Sequence, residues 1–149
     1  MIFVMENIKY VEAKPGRIFI GRFEADQDLL ESLNQFCKEK NIRLGLFSLI
    51  GAVRNVKLGY YDQEQKKYIG CVEIDNKLEI TTCIGNISIR DDDIIVHAHI
   101  TLADFEGKAF GGHLMPGTEI FAAEFQIQEY IGAELIRKTD ETTGLPLWD

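Results

Sequence analysis

The sequence predicts an α+β fold with a mixed, mainly antiparallel β-sheet and one main helix at about residues 26–40. Two observations lead to this prediction. Only one stretch has apolar residues at helical spacing. Most of the chain after it consists of short runs in which apolar and polar residues alternate, separated by turn residues. The chain has 149 residues, of which 46% are hydrophobic, so residues 1–149 are expected to form a single domain around one core.

The main helix is predicted from a single apolar stripe. Its members recur at spacings of three and four residues: Leu29, Leu30, Leu33, Phe36 and Cys37. Asp26 is the candidate N-cap, because its carboxylate can accept a hydrogen bond from a free backbone N–H. Asn41 is a plausible stop, since asparagine tolerates the left-handed conformation that ends many helices.

Strands are predicted on both sides of the helix. Before it, residues 1–12 and 17–23 read as strands separated by a turn at Pro15-Gly16. After it, the predicted strands are residues 44–53, 56–61, 67–74, 78–89, 94–103, 108–114 and 119–130. Gly85-Asn86 interrupts the fourth of these and predicts a bulge or a tight bend.

Composition argues against several classes of protein. The net charge of −8 argues against a nucleic-acid surface, which needs a basic patch, and Lys66-Lys67 and Arg137-Lys138 are interpreted as solvated faces. Cys37, Cys71 and Cys83 form no C-x-x-C pair and are expected to be small buried apolar residues. No apolar run approaches 18 residues and no secretory signal is recognisable, so we expect a cytoplasmic protein without a membrane span.

The three histidines of the chain lie close together in sequence. His97 and His99 are two residues apart on a predicted strand, so their side chains should share one face, with Val96, Ala98, Ile100 and Leu102 on the other. A turn at residues 104–107 would let the chain double back and bring His113 near them. Gly111-Gly112 just before His113 would let the backbone approach closely or bend at this candidate cofactor-binding segment.

Three converging imidazoles predict a divalent metal site. Zinc with an open fourth position is the first choice, although other divalent metals also accept imidazole ligands. The alternative is two exposed strand histidines and an unrelated loop histidine. Two further residues are candidate catalytic groups: Glu124 as a general base or an acceptor for a ligand histidine, and Arg54 as a partner for an anionic ligand. For both, a plain surface position is the competing interpretation.

Several segments also resemble a known family, the PPC domain of plants and prokaryotes. They are the helix DLLESLNQFCKEKNI, then FSLIGAVRNVKLGYYD, LEITTCIGNIS, VHAHITLADFEGKAFGGHLMPG and AAEFQI, and the H-x-H…G-x-x-x-G-G-H-L-x-x-G pattern between His97 and Gly117 is the most specific. The resemblance covers about residues 17–131. It implies a homotrimer, and stand-alone prokaryotic members resemble metal-containing proteins with these histidines as ligands. It also implies a fold similar to that of acetolactate decarboxylase, a zinc enzyme.

Three functions are compatible with these features. The first is a metal-binding oligomeric module that binds a small or anionic ligand at the metal, or serves in regulation and interaction. The second is a metal-dependent lyase or hydrolase. The third is DNA binding, which plant members of the family support with AT-hooks. This chain lacks the R-G-R-P core of an AT-hook, and its charge is acidic, so DNA binding is disfavoured.

Overall fold

The computed structural model describes residues 2–149, apart from the side chains of residues 4, 5, 70 and 71. Within these residues the chain forms one helix and twelve strands. In chain order they are β1 (Phe3–Met5), β2 (Ile8–Tyr10), β3 (Ala13–Phe23), α1 (Leu29–Glu39), β4 (Gly45–Val53), β5 (Val56–Asp62), β6 (Lys67–Ile74), β7 (Leu78–Arg90), β8 (Asp93–Ala103), β9 (Ala109–Leu114), β10 (Ile120–Gly132), β11 (Arg137–Thr139) and β12 (Pro146–Trp148).

Eight strands make one sheet in the order β3-β10-β4-β7-β8-β9-β5-β6, and each neighbouring pair is antiparallel. Two small two-stranded sheets, β1-β2 and β11-β12, flank it. One helix with a largely antiparallel sheet confirms the predicted fold class.

Helix α1 packs across the inner face of this sheet. Leu29, Leu33 and Cys37 are fully buried in a cluster with inward-facing strand residues such as Phe47 and Ile127. The predicted apolar stripe is therefore confirmed, because the helix buries it against the sheet. Cys83 is also fully buried, and burial raises the pKa of both the Cys37 and the Cys83 thiol to about 12. The side chain of Cys71 lies outside the described residues.

The opposite side of the sheet, which we call the outer face, is open in the described chain and carries both aliphatic and polar side chains. Five aliphatic side chains on it are between 50% and 81% exposed: Ile18, Ile20, Leu46, Ile50 and Ile84. Strand register places Ile20, Gln126, Ser48, Ile84 and His99 in one row across five strands. Strand β8 thus presents its imidazoles on the outer face, on the same side as these exposed aliphatic side chains.

The structure corrects four local predictions. The predicted strand over residues 1–12 is instead two short strands that pair with each other, although residue 1 lies outside the description. Pro15-Gly16 lies inside β3, because that edge strand pairs with β10 through this point. The N-cap is Asp28, whose Oδ1 accepts from the Glu31 N–H at 2.8 Å, and Asp26 precedes it in a left-handed turn. Asn41 adopts the predicted left-handed conformation, with φ of 50°.

The fourth correction concerns Gly85-Asn86, where β7 runs on without a bulge. Gly85 pairs with Ala98 and Asn86 with His97 in regular register, and the irregularity lies between Ile80 and Thr82. The glycine serves another purpose. A Cβ at position 85 would lie 2.1 Å from the His97 carbonyl oxygen and 2.5 Å from the Phe47 ring, so only glycine fits between them.

Candidate metal centre

Strand β8 separates its histidines from the core by simple alternation. Val96, Ala98, Ile100 and Leu102 point inward and are at most 8% exposed. His97 is half-buried and His99 is exposed on the outer face. The helix fixes this strand, because the Asn34 side-chain oxygen of α1 accepts a 2.9 Å hydrogen bond from the Val96 N–H. The predicted division of faces is confirmed.

The return strand β9 brings His113 directly opposite His99. The turn is held by Asp104, whose carboxylate accepts hydrogen bonds from the Glu106 and Lys108 N–H groups at 2.9 and 3.0 Å. His99 and His113 are then Cα partners in the β8-β9 pair. The close approach requires Gly111, since a Cβ there would lie 2.3 Å from the Ile100 carbonyl oxygen.

The three imidazoles converge on one point. Ring centroids are 5.1 Å apart for His97 and His99, 5.0 Å for His97 and His113, and 5.4 Å for His99 and His113. One nitrogen from each ring can be chosen so that all three lie within 4.8 Å of one another. Strand alternation and hairpin return therefore assemble the cluster that the sequence spacing predicted.

The chemical state of the cluster suits a metal ligand set. Among the described residues, the His113 Nδ1 atom is a buried polar atom without a hydrogen-bond partner, which is costly unless a further group binds there. Burial, reinforced by His113, Arg137 and His99, lowers the pKa of His97 to about 4. Burial also lowers the pKa of His113, with His99 adding to the shift. Metals bind neutral imidazole, so both shifts favour the ligating form.

A cavity of about 530 Å³ opens beside the imidazoles. Its walls combine aromatic, aliphatic and cationic side chains, including Tyr60, Tyr61, Tyr68, Arg90, Arg137 and Leu147. The Tyr68 ring lies 5.1 Å from the His113 ring, centroid to centroid. Cavities of this size accept small organic ligands, and a few polar groups in an apolar wall fix the ligand's orientation.

Arg137 is the cavity residue that sequence reasoning missed. The prediction that Arg137 lies on a solvated face was wrong, because this residue is only 8% exposed. The neighbouring Lys138 side chain is 68% exposed. The guanidinium donates hydrogen bonds to Ser88 Oγ at 2.8 Å and to Asn86 Oδ1 at 2.7 Å. No local pattern distinguishes Arg137 from Lys138, since these partners lie about fifty residues away in sequence.

Glu124 does not join the histidines within this chain. It is exposed on the outer face of β10, paired with Arg22 and Ile50 in neighbouring strands. Strand β10 is three positions from β8 in the sheet, a separation of about 14 Å. Within one chain Glu124 takes the exposed position that was the competing interpretation, and its role as a general base or an acceptor for a ligand histidine stays a prediction.

Arg54 also lies outside the cavity. It forms ion pairs with Asp26 at 2.8 Å and Glu119 at 3.1 Å, and its guanidinium carbon is 5.0 Å from the Phe121 ring centroid. These ion pairs hold its guanidinium at the surface and away from the histidine cluster, and its role as a partner for an anionic ligand stays a prediction. Of the two predicted cofactor-binding glycines, Gly112 lines the cavity and Gly111 packs against β8. Their contact with a ligand stays a prediction.

Comparison with known proteins agrees with this geometry. The Plants and Prokaryotes Conserved (PCC) domain matches residues 10–131 of the chain. The chain belongs to this family. The match includes all three histidines and ends before Arg137, so the C-terminal wall of the cavity lies outside the family pattern.

Three solved structures share most of the chain. A metal-containing protein from Archaeoglobus fulgidus is 38% identical with a TM-score of 0.89, covering 95% of this chain and 99% of that one. A plant- and prokaryote-conserved protein from Pyrococcus horikoshii is 34% identical with a TM-score of 0.88, covering 99% and 97%. A candidate DNA-binding protein from Bacteroides thetaiotaomicron is 28% identical with a TM-score of 0.82, covering 93% and 96%.

More distant similarities concern larger proteins. The chain is 30% identical over 130 residues to the bifunctional protein GlmU of Synechococcus sp. strain JA-3-3Ab, and it spans about a fifth of the length of that relative. A Staphylococcus aureus protein similar to alpha-acetolactate decarboxylase is 15% identical with a TM-score of 0.53, covering 78% of this chain and 53% of that one. It shares the fold alone, as expected. None of the described helices is long and apolar enough to cross a membrane.

Proposed function

We propose that the chain binds one divalent metal ion, zinc as first choice, through His97, His99 and His113, and binds a small molecule beside it. The observation behind this proposal is the set of three imidazole nitrogens within 4.8 Å of one another. Nitrogen ligands of one zinc ion lie about 3–4 Å apart, given Zn–N bonds of about 2.0–2.1 Å. Small rotations of the imidazole side chains would bring the three nitrogens to this spacing.

An open coordination position supports ligand binding as the role of the metal. Within the described residues, no fourth His, Cys, Asp or Glu belongs to the cluster. Structural zinc sites use four protein ligands, whereas sites that bind a substrate or a water molecule use three. The similarity to a metal-containing protein at 38% identity further supports a metal. The bound ion would supply a Lewis acid facing the cavity.

A binding or regulatory module fits the cavity better than the alternative of a lyase or hydrolase that uses Glu124 and Arg54. Neither residue lines the cavity, and no carboxylate is found among the described residues that do. DNA binding is named for the Bacteroides protein, which is 28% identical, and a net charge of −8 opposes it in this chain.

The outer face supports the proposal of a homotrimer. Five aliphatic side chains that are half or more exposed lie on one sheet face, and exposed apolar surface is often covered in protein–protein contacts. Because His99 lies in the same row as Ile84 and Ile20, such contacts would border the metal centre. We further propose a cytoplasmic location, where the free thiols of Cys37 and Cys83 would stay reduced.

Elemental analysis of the purified full chain tests the metal proposal. We expect about one zinc per chain in the wild type and none in the His97→Ala/His99→Ala double variant. Thr101→Ala is the matched control, since Thr101 follows His99 on the same face of β8 and is not in the cluster. No bound metal in the wild type, even after zinc is added back, would refute the proposal.

A further inference from the structure

Arg137 carries a buried positive charge whose described partners are all neutral, including the Trp148 ring, whose centroid lies 5.5 Å from the guanidinium carbon. It is 8% exposed, and its hydrogen-bond acceptors are Ser88 Oγ, Asn86 Oδ1 and the Pro146 carbonyl oxygen, all neutral. No carboxylate among the described residues forms an ion pair with it. Burying an unpaired charge is expensive, and buried arginines ordinarily have an anionic partner.

The guanidinium retains donors for such a partner. It has five N–H groups, and three of them serve the acceptors just named, one from Nε and one from each terminal nitrogen. One N–H therefore remains on each terminal nitrogen. A carboxylate that approaches a guanidinium end-on uses one donor from each of these two nitrogens.

Arg137 and the histidines belong to the same cavity. Asn86, which accepts from Arg137 at 2.7 Å, is the Cα partner of His97 across β7 and β8. The β11 segment is fixed to β7 by a hydrogen bond of 3.0 Å from the Ile89 N–H to the Leu135 carbonyl oxygen. A ligand in the cavity could therefore contact the guanidinium at one end and the imidazole cluster at the other.

A second arginine adds positive charge at this wall. Arg90 lines the same cavity, and its partner Asp91 is 3.6 Å away with a side chain that is 90% exposed. Burial lowers the pKa of Arg137, and the nearby positive charge of Arg90 adds to this shift. An anion placed between the cavity walls would offset this positive charge.

We propose that Arg137 binds the carboxylate of a small organic acid whose other end faces the histidine cluster. The inference deepens the proposed function. It rests on that function only for the contact between the ligand and the metal ion. A carboxylate is preferred to a phosphate because it is a planar monoanion, whose single charge one buried guanidinium with two free N–H donors can compensate. The aromatic and aliphatic walls, including Tyr60, Tyr68 and Leu147, suit the carbon part of such an acid.

Isothermal titration of the full chain with matched probes tests this inference without any variant. The probes are 2-hydroxybutyrate, its neutral amide 2-hydroxybutyramide, and inorganic phosphate. We expect the carboxylate to bind about 10- to 100-fold more tightly than the amide, as is typical of a charge-assisted hydrogen-bond pair. Equal binding of carboxylate and amide, no binding of the carboxylate, or tighter binding of phosphate would overturn the proposal.

The variant Arg137→Gln then assigns the effect to this residue. We expect it to lose the preference for carboxylate over amide while keeping the zinc content of the wild type. Retained preference would overturn the role of Arg137. Lys138→Gln is the matched control; it removes the neighbouring charge, which is 68% exposed and paired with Asp149 outside the cavity, and is expected to keep the preference. If Arg137→Gln does not fold, the comparison of probes on wild type stripped of zinc with a chelator decides, because no metal ion is then present to bind the carboxylate.

The two proposals fail in different ways. If the wild type binds no zinc but still prefers carboxylate over amide, the metal proposal fails and the Arg137 inference stands. If zinc is bound and the carboxylate is not preferred, the metal proposal stands and the Arg137 inference fails.

Discussion

His99 and His113 face each other directly across the β8-β9 pair, although fourteen residues separate them in the chain. Their ring centroids lie 5.4 Å apart, and His97 lies within 5.1 Å of both rings by the same measure. The cluster therefore depends on strand register, which Gly111 permits, and on alternation within β8. Rigid strands hold all three side chains, as a preorganised binding site requires.

Acidification should destabilise the metal-free protein through His97. Its folded pKa of about 4 lies below the 6.5 of an unperturbed histidine, so the unfolded state binds the proton more readily. The contribution of His97 to the free energy of unfolding is therefore complete above pH 6.5 and is lost as the pH falls toward 4. Between pH 7 and pH 5 we expect a loss of about 1–2 kcal/mol in the free energy of unfolding.

Denaturant unfolding at the two pH values measures this loss. His97→Asn is the control, because it removes the titrating group. The variant should lose less free energy of unfolding between pH 7 and pH 5, and most of the predicted effect should disappear. The remaining slope in this variant would come in part from His113, whose pKa is also lowered. An identical loss in wild type and variant would show that His97 does not titrate in this way.

Asp28 should matter far more to stability than Asp26. Its Oδ1 caps α1, and its Oδ2 accepts hydrogen bonds from the Gly117 and Thr118 N–H groups, the latter at 3.1 Å. Thus it joins the start of the helix to the loop after the His113 strand. We expect Asp28→Ala to cost about 1–3 kcal/mol in the free energy of unfolding.

Asp26→Asn is the control for Asp28, since it removes an exposed ion pair with Arg54 while asparagine keeps the left-handed backbone conformation. Such pairs contribute little, so we expect a change within about 0.5 kcal/mol. Chemical denaturation measures both variants. Equal losses would mean that Asp28 does not anchor the helix as the hydrogen bonds indicate.

Sequence patterns predicted the parts of the structure that depend on local periodicity. The helical stripe, the alternation of β8 and the hairpin that returns His113 all follow from spacing. Asp26 and Asp28 cannot be distinguished this way, because the choice of cap depends on Gly117 and Thr118, some ninety residues away. Pro15-Gly16 is a turn signal that pairing with β10 overrides.

The part of the site that the sequence could not predict lies at the C-terminal end. Arg137-Lys138 reads as an ordinary charged pair, and only the packing of β11 against β7 separates the buried arginine from the exposed lysine. The exposed position of Glu124, in contrast, has a local cause. Its position on an apolar strand suggested a functional carboxylate, but alternation simply turns it toward the exposed side of the sheet.

Charges placed on the outer face should disrupt the proposed trimer. Ile20 and Ile50 are 81% and 56% exposed on strands β3 and β4. We expect Ile20→Lys/Ile50→Lys to reduce the mass in solution from three chains to one, because desolvating two ammonium groups in a contact is costly. Static light scattering coupled to size-exclusion chromatography measures the mass.

Ile8→Lys is the control for this experiment, since Ile8 is 55% exposed but lies in the β1-β2 hairpin outside the large sheet. It should leave the mass unchanged. A trimer that survives both lysines on the outer face would place the contact elsewhere, and a monomeric wild type would rule the trimer out.

X-ray absorption spectroscopy at the zinc edge of the zinc-loaded chain tests the central claim most directly, because it counts and identifies the ligands. The account predicts three nitrogen neighbours at about 2.0–2.1 Å with imidazole scattering and one further light atom. In His113→Ala the number of imidazoles should fall to two. Sulfur neighbours at about 2.3 Å, or an unchanged spectrum in His113→Ala, would contradict a metal centre formed by His97, His99 and His113.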